Sequence, residues 1–128
     1  MKNIIITNNP DVNEKFRDAF KIEFLEGKTY MDVLYYTRDL IHKGHELLTH
    51  PLSGSVKPNE TPYKSVIISS EIGILDESGL TILEESIQTV IKFIDNKKTP
   101  NWTERVLEDF RVIDLSLMEN VIDRLGHK

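Results

Sequence analysis

This chain of 128 residues is long enough to form one folded domain with its own core, and 39% apolar and 29% charged residues suit such a domain. Cysteine is absent, which excludes disulfides, thiolate zinc sites and thiol redox chemistry by the protein itself. A net charge of −5, without a cluster of basic and aromatic residues, disfavours nucleic-acid binding.

The chain opens on a segment typical of a buried strand. Ile4, Ile5 and Ile6 stand in a row, the pattern of a strand with both faces covered. An apolar run of three residues is too short for a signal peptide or a membrane span, so we expect a cytoplasmic protein that does not enter a membrane. Thr7-Asn8-Asn9-Pro10 is a turn that leads into a helix.

Apolar spacing and end signals divide the rest of the chain into alternating helices and strands. Helical spacing after capping residues predicts helices over 11–20, over 29–44, from 78 or 81 until Lys97-Lys98-Thr99-Pro100 ends it, from 101, and over 116–125. Apolar runs and alternation predict strands over 3–7, 21–26, 46–49, 65–70 and 110–114. The last strand competes with an alternative in which a single helix continues to Leu125.

This alternation predicts a single α/β domain over residues 1–128. Its architecture would be a three-layer helix–sheet–helix sandwich, Rossmann or flavodoxin-like, around a mainly parallel sheet of four to five strands. Right-handed crossovers and an exposed second strand favour the order 2-1-3, followed by 4 and 5. Ligands in such sheets bind where the strand order reverses, here between Thr7–Asn9 and Thr49–His50. Strand 4 is left open as parallel or antiparallel, because the preceding connection of about fourteen residues can span either.

The connection Thr49–Ser65, THPLSGSVKPNETPYKS, holds three of the five prolines and no apolar run of strand length. Loops of more than about a dozen residues without structure of their own are usually functional or disordered. Small and hydroxyl residues let backbone N–H groups approach an anion, and a nearby lysine adds positive charge. We therefore predict a site for a phosphate or carboxylate group at Asn8, Asn9, His50, Ser53, Gly54, Ser55 and Lys57. A flexible surface loop is the alternative.

Two more specific chemistries lack support. His42, His45 and His50 lie close in sequence, but Gly44 should end the helix between the first two, and no carboxylate is placed to complete a metal site. A loop serine paired with His50 lacks an identifiable orienting acid and oxyanion hole. We therefore predict no metal site and assign no catalytic residue and no cofactor.

Three stretches carry a resemblance to a known family. They are Ile5–Pro10, the run from Lys43-Gly44-His45 through Pro51, and the loop HPLSGSVKPNETPYKS. With them the whole chain resembles the GrdX family, small proteins encoded alongside the glycine, sarcosine and betaine reductases of anaerobic amino-acid-fermenting bacteria. The family has no assigned biochemical activity. The resemblance implies an anaerobic cytoplasm and a system that makes acetyl phosphate through selenol and thiol chemistry, in which a chain without cysteine is not a redox carrier.

Two functions follow as expectations. The first is an accessory protein of the reductase system that contacts reductase-complex components and has an anion or small-ligand crevice between strands 1 and 3. The alternative is a small-molecule binding protein or minor enzyme of the same pathway that acts on a phosphate- or carboxylate-containing compound. The sequence does not decide whether the protein is an enzyme, which ligand it takes or what its oligomeric state is.

Overall fold

A computed structural model describes residues 3–54 and 56–126 of the chain. Its strands are β1 (Ile4–Thr7), β2 (Lys21–Phe24) and β3 (Ser65–Ile68), and its helices are α1 (Pro10–Phe16), α2 (Tyr30–His42), α3 (Glu77–Asn96) and α4 (Glu104–Arg124).

The three strands form one mixed sheet in the order β2-β1-β3. β1 pairs in parallel with β2, with Ile4 opposite Lys21. It pairs antiparallel with β3, so that Thr7 at the end of β1 lies opposite Ser65 at the start of β3. All residues of β1 and β3 are buried, as expected for strands covered on both faces.

The apolar side chains of β1 and β3 divide between two helical layers with the period of two of a strand. Ile4 and Ile6 belong to the core cluster formed with α2 and α3. Ile5 belongs, with Ile67 of β3, to a second cluster formed with α1 and α4. The helices therefore cover both faces of a small sheet.

The predicted Rossmann or flavodoxin-like sheet of four to five mainly parallel strands is wrong. Residues 46–49, the predicted third strand, form only an isolated antiparallel bridge from Leu47 to Ile68, on the outer side of β3. Only two adjacent apolar residues are available there, and Pro51 follows closely, so pairing does not extend. β3 therefore occupies the place beside β1, and the predicted reversal between strands 1 and 3 does not exist. The sequence leaves open the orientation of the predicted fourth strand. This strand is antiparallel, because the loop before Ser65 turns back as a wide hairpin.

The predicted strand at 110–114 is also wrong, because these residues lie inside α4. No glycine or proline interrupts the chain from Thr103 to Leu125, and Thr103 caps the helix by accepting a hydrogen bond from the Val106 N–H. The buried residues of α4 recur at helical spacing: Asp114, Met118, Val121 and Ile122.

Helix starts follow local hydrogen bonding. The predicted start of α2 is confirmed, with a capping box between Thr29 and Asp32. α1 is capped by Asn9 and begins at Pro10, one residue before the predicted start. α3 is capped by Asp76 instead of Ser78 or Thr81. Within residues 3–54 and 56–126, no helix is long and apolar enough to cross a membrane.

Candidate functional site

The 49–65 loop packs against the domain over much of its length. Seven of its described residues are buried: Thr49, Pro51, Pro58, Asn59, Thr61, Lys64 and Ser65. Hydrogen bonds attach it to the connection between α3 and α4, where Trp102 Nε1 donates to the Glu60 carbonyl at 2.7 Å and Asn59 Nδ2 donates to the Lys97 carbonyl at 3.0 Å. Most of this loop is therefore ordered by contacts with the domain.

Asn8 joins the end of the loop to the end of β1. Its Nδ2 donates to the carbonyl oxygens of Lys28 at 2.9 Å and Pro62 at 2.8 Å. Its Oδ1 accepts from the Lys64 N–H at 2.9 Å. Both donors and the acceptor of the amide are thus occupied by backbone groups, and the arrangement fixes Lys64 beside β1.

A carboxyl group from α4 lies at the centre of a buried polar network. Asp114, only 6% exposed, accepts at Oδ2 from Asn9 Nδ2 at 3.1 Å and from Ser65 Oγ at 2.7 Å. The Ser65 hydroxyl is also 2.7 Å from Thr7 Oγ1. Because Thr7 Oγ1 accepts from the Asn9 N–H at 2.9 Å, a continuous chain of hydrogen bonds joins the end of β1, the start of β3 and the middle of α4.

The Lys64 side chain enters the interior beside this network. The residue is 5% exposed, and its Nζ donates to the Ser53 carbonyl oxygen at 3.5 Å and lies 5.9 Å from the centre of the Tyr30 ring. Among the residues that the structure describes, no carboxylate lies within ion-pair distance of this amine. Lysine is rarely buried without such a partner, which marks Lys64 as unusual.

Burial moves the titration of three groups in this region towards their neutral forms. Desolvation lowers the pKa of Lys64 to about 8, and the negative charge of Asp114 offsets only part of that effect. Desolvation likewise raises the pKa of Asp114, against its hydrogen bonds and the charge of Lys64. Burial, and to a smaller extent Asp114, raises the pKa of the Tyr30 hydroxyl. The common cause is a low local polarizability that penalises every charged form.

A small cavity of about 20 Å³ lies between these groups. It is lined by residues of α2, the loop and α4: Tyr30, Ser53, Val56, Thr61, Tyr63, Lys64, Ile113, Asp114 and Leu117. A cavity of this size holds about one water molecule. A surface groove of about 450 Å³ shares Ser53 and Leu117 with it and also contains Arg124 and Asp123. The amine of Lys64 is thus close to solvent-accessible space although it is itself buried.

The structure separates the predicted site residues into three groups. Asn8 and Asn9 lie at the polar network, but their side chains are bonded to protein groups. Ser53 lines both the cavity and the groove, and Gly54 lines the groove.

The other predicted site residues lie apart or cannot be placed. His50 lies in a different surface depression with Asp76 and Ser78, and its Nδ1 accepts from the Leu52 N–H. Lys57 is exposed. Ser55 lies outside the described residues. The predicted set therefore does not converge on one cavity, and its ligand-binding role stays a prediction.

Sequence reasoning missed Lys64 and Asp114 as the central pair. Lys64 falls within the 49–65 loop but is not among its predicted site residues, and Asp114 is the last residue of a predicted strand. One signal was present: in a single helix, Asp114 falls four, seven and eight residues before Met118, Val121 and Ile122. That spacing puts the carboxyl on the apolar face, where a charged residue requires partners.

The histidines do not form a metal site within the described part of the chain. No group of three or more histidine, aspartate or glutamate side chains there is arranged to hold a metal ion. His45 is buried, and its Nδ1 lies 2.7 Å from the Ser69 carbonyl oxygen. That contact accounts for one ring nitrogen by ordinary hydrogen bonding.

Comparison with known proteins gives one match. A family model described as GrdX-like protein matches residues 4–123, nearly the whole chain, which confirms the resemblance seen in the sequence. No curated protein and no solved structure matches the chain.

Proposed function

The chain belongs to the GrdX-like family, and we propose that it is a cytoplasmic accessory protein of glycine, sarcosine or betaine reductase metabolism that binds a small anion beside Lys64. The reductase context and the anaerobic setting come from what the family resemblance implies. The ligand class comes from one observation: the buried Lys64 lines a small cavity that shares two wall residues with an open groove, and its amine has no carboxylate at ion-pair distance among the described residues.

An anionic ligand would stabilise this buried amine more than a neutral one would. A buried positive charge without a partner is costly, and a phosphate or carboxylate brought against it would offset that cost. Ser53 offers polar groups on the same wall, and Arg124 adds a second cation in the groove. Anion binding would favour the protonated amine, so affinity should fall as pH rises above the Lys64 pKa of about 8.

Thermal unfolding in the presence of candidate anions tests the ligand. Phosphate, acetyl phosphate and acetate would be compared with sodium chloride at equal ionic strength, using wild type, Lys64→Met and Lys57→Met. A ligand at ten times its Kd stabilises by about 1.4 kcal/mol, which raises Tm by roughly 5 °C in a domain of this size. We expect that rise in wild type and in Lys57→Met but not in Lys64→Met. An equal rise in Lys64→Met, or none with any anion, contradicts the proposal.

Docking to a reductase component is the second half of the proposed role. The support is an apolar segment between β3 and α3, in which Ile72 is 66% and Ile74 96% exposed. Exposed apolar residues that are adjacent in space are typical of protein-binding surfaces. Immobilised wild type should retain purified reductase subunits, and an Ile72→Ser, Ile74→Ser double variant should retain fewer. Failure of wild type to retain any subunit would count against the accessory role and leave anion binding to be judged by its own assay.

A further inference from the structure

We infer that Lys64 is a nucleophile that captures a small carbonyl compound carrying a carboxylate, of the 2-oxo acid or aldehyde-acid class, as an imine. The inference rests on the proposed function in one respect, because it takes the anion site beside Lys64 as the place where the ligand binds. It goes further by assigning a covalent bond and a second functional group in the ligand.

The surroundings of the amine are the first argument. Nζ is held in the interior by a long hydrogen bond of 3.5 Å to the Ser53 carbonyl oxygen, and it faces the ring of Tyr30. Losing either contact would cost little free energy if Nζ formed a bond to the carbonyl carbon of a ligand. Desolvation also leaves the amine about half unprotonated near pH 8, and only an unprotonated amine attacks a carbonyl.

The second argument is the shape of the accessible space. The cavity beside Nζ has room for one small group, which suits a reacting carbonyl. The groove that shares Ser53 and Leu117 with the cavity has room for the rest of the ligand. Its Arg124 guanidinium can pair with a carboxylate there, although Asp123 on the same wall opposes this in part. A short ligand with a carbonyl at one end and a carboxylate near it fits both spaces.

Charge balance is the third argument. The unprotonated Nζ adds to the carbonyl carbon, the C=O electron pair moves to oxygen, and a proton passes from nitrogen to that oxygen to give a neutral carbinolamine. Loss of water then forms the C=N bond, so no oxidant or reductant is required. Expulsion of the hydroxyl as water takes up one proton from the medium, so the protonated imine carries one positive charge that the attacking amine did not, and the ligand's own carboxylate offsets it. The Asp114 carboxyl borders the same cavity, and its raised pKa suits a group that passes protons to and from the carbinolamine oxygen.

Reductive trapping tests the inference. The protein would be incubated at pH 8 with pyruvate or glyoxylate and sodium cyanoborohydride, with lactate as the matched carboxylate that lacks a carbonyl. Intact mass would count the adducts, and peptide mapping would locate them. At pH 8 an ordinary lysine with a pKa of 10.4 is unprotonated in roughly 0.4% of molecules, against about half for Lys64. Allowing for restricted access, we expect Lys64 to be labelled at least about tenfold faster than the exposed Lys57 in the same molecules.

The outcomes separate this inference from the proposed anion site. An adduct that peptide mapping places at Lys64 with pyruvate or glyoxylate, none there with lactate, and loss of that adduct in a folded Lys64→Arg variant would support it, with any adduct at the α-amino group (ordinary pKa about 8) mapped separately. Labelling spread over surface lysines, or an unlabelled Lys64, would overturn it. If Lys64 stays unlabelled while phosphate still raises Tm in wild type, the imine is refuted and anion binding stands. If phosphate gives no rise either, both fail. Circular dichroism of Lys64→Arg shows whether the variant has folded.

Discussion

Replacing Lys64 with methionine should change how the stability of the protein depends on pH. The native pKa of Lys64 is about 8, against 10.5 for an exposed lysine. Between these values the unfolded chain holds a proton that the native protein has released, so the stability of wild type rises with pH in this window. Below pH 8 the native protein carries the buried charge and its full cost. Methionine has a similar length and does not titrate, which removes the effect.

The magnitude follows from the width of the window. Each pH unit within it is worth about 1.4 kcal/mol per proton. Because the native lysine is still half protonated at pH 8, wild type should gain about 1.6 kcal/mol relative to Lys64→Met between pH 8 and pH 9.5. The sign is opposite to that of a lysine stabilised by an ion pair, whose contribution is lost as pH rises.

Urea unfolding followed by circular dichroism at pH 7, 8, 9 and 9.5 gives the required free energies. The exposed Lys57→Met variant is the matched control, and its difference from wild type should stay flat with pH. Repeating the comparison in an Asp114→Asn background should extend the window to lower pH, because removal of the carboxylate takes away a charge that raises the pKa of Lys64. The prediction fails if the difference in unfolding free energy between wild type and Lys64→Met does not depend on pH. It also fails if that difference shifts in favour of the variant as pH rises.

Three further substitutions test the framework of the site by urea unfolding. Asn8→Ala removes three side-chain hydrogen bonds to backbone groups and should cost about 2–4 kcal/mol; a cost below 1 would mean that water replaces them. Asp76→Ala removes the α3 cap and the hydrogen bond that Asp76 accepts from the Leu47 N–H, and it should cost about 1–2 kcal/mol. Asp76→Asn should keep most of this stability, because an asparagine can also cap the helix. Gly54→Ala meets a positive φ of 98° and a contact of 2.7 Å with Leu117, for about 1–3 kcal/mol. Leu117→Ala should relieve this contact but not the backbone strain. If the effects of Gly54→Ala and Leu117→Ala simply add in a double-mutant cycle, the contact does not contribute to the cost.

Features governed by neighbours in the sequence were the ones that could be predicted. Three consecutive isoleucines at 4–6 and the run at 66–68 mark strands covered on both faces, and both segments are buried strands. The Thr29 capping box depends on residues three apart, and it forms as expected. In each case the determining interactions lie within one element or one turn of it.

Strand partners and buried charges depend on distant residues, and there prediction failed. No local interaction determines that segment 46–49 pairs with the outer side of β3 and not with β1. Because β3 pairs with β1 in its place, the sheet is mixed and not mainly parallel. Residues 110–114 can be written as a strand or as part of a helix when taken alone. Only the continuation of the apolar stripe to Ile122 decides for the helix, and with it the burial of Asp114.

The same error explains why the loop lies beside the end of β1, as predicted, although the strand pairing that places it there is different. Parallel strands 1 and 3 were expected to bring Asn8 and Asn9 near the loop; instead, the antiparallel pairing of β1 with β3 brings the end of one strand against the start of the other. The side-chain amide of Asn8 is fully hydrogen-bonded to backbone groups. It therefore positions the loop and has no free donor for a ligand. The groups left to meet a ligand are those that face the cavity and groove, with Lys64 and Ser53 foremost. Any ligand chemistry should therefore depend on Lys64, while the asparagines should affect it through stability.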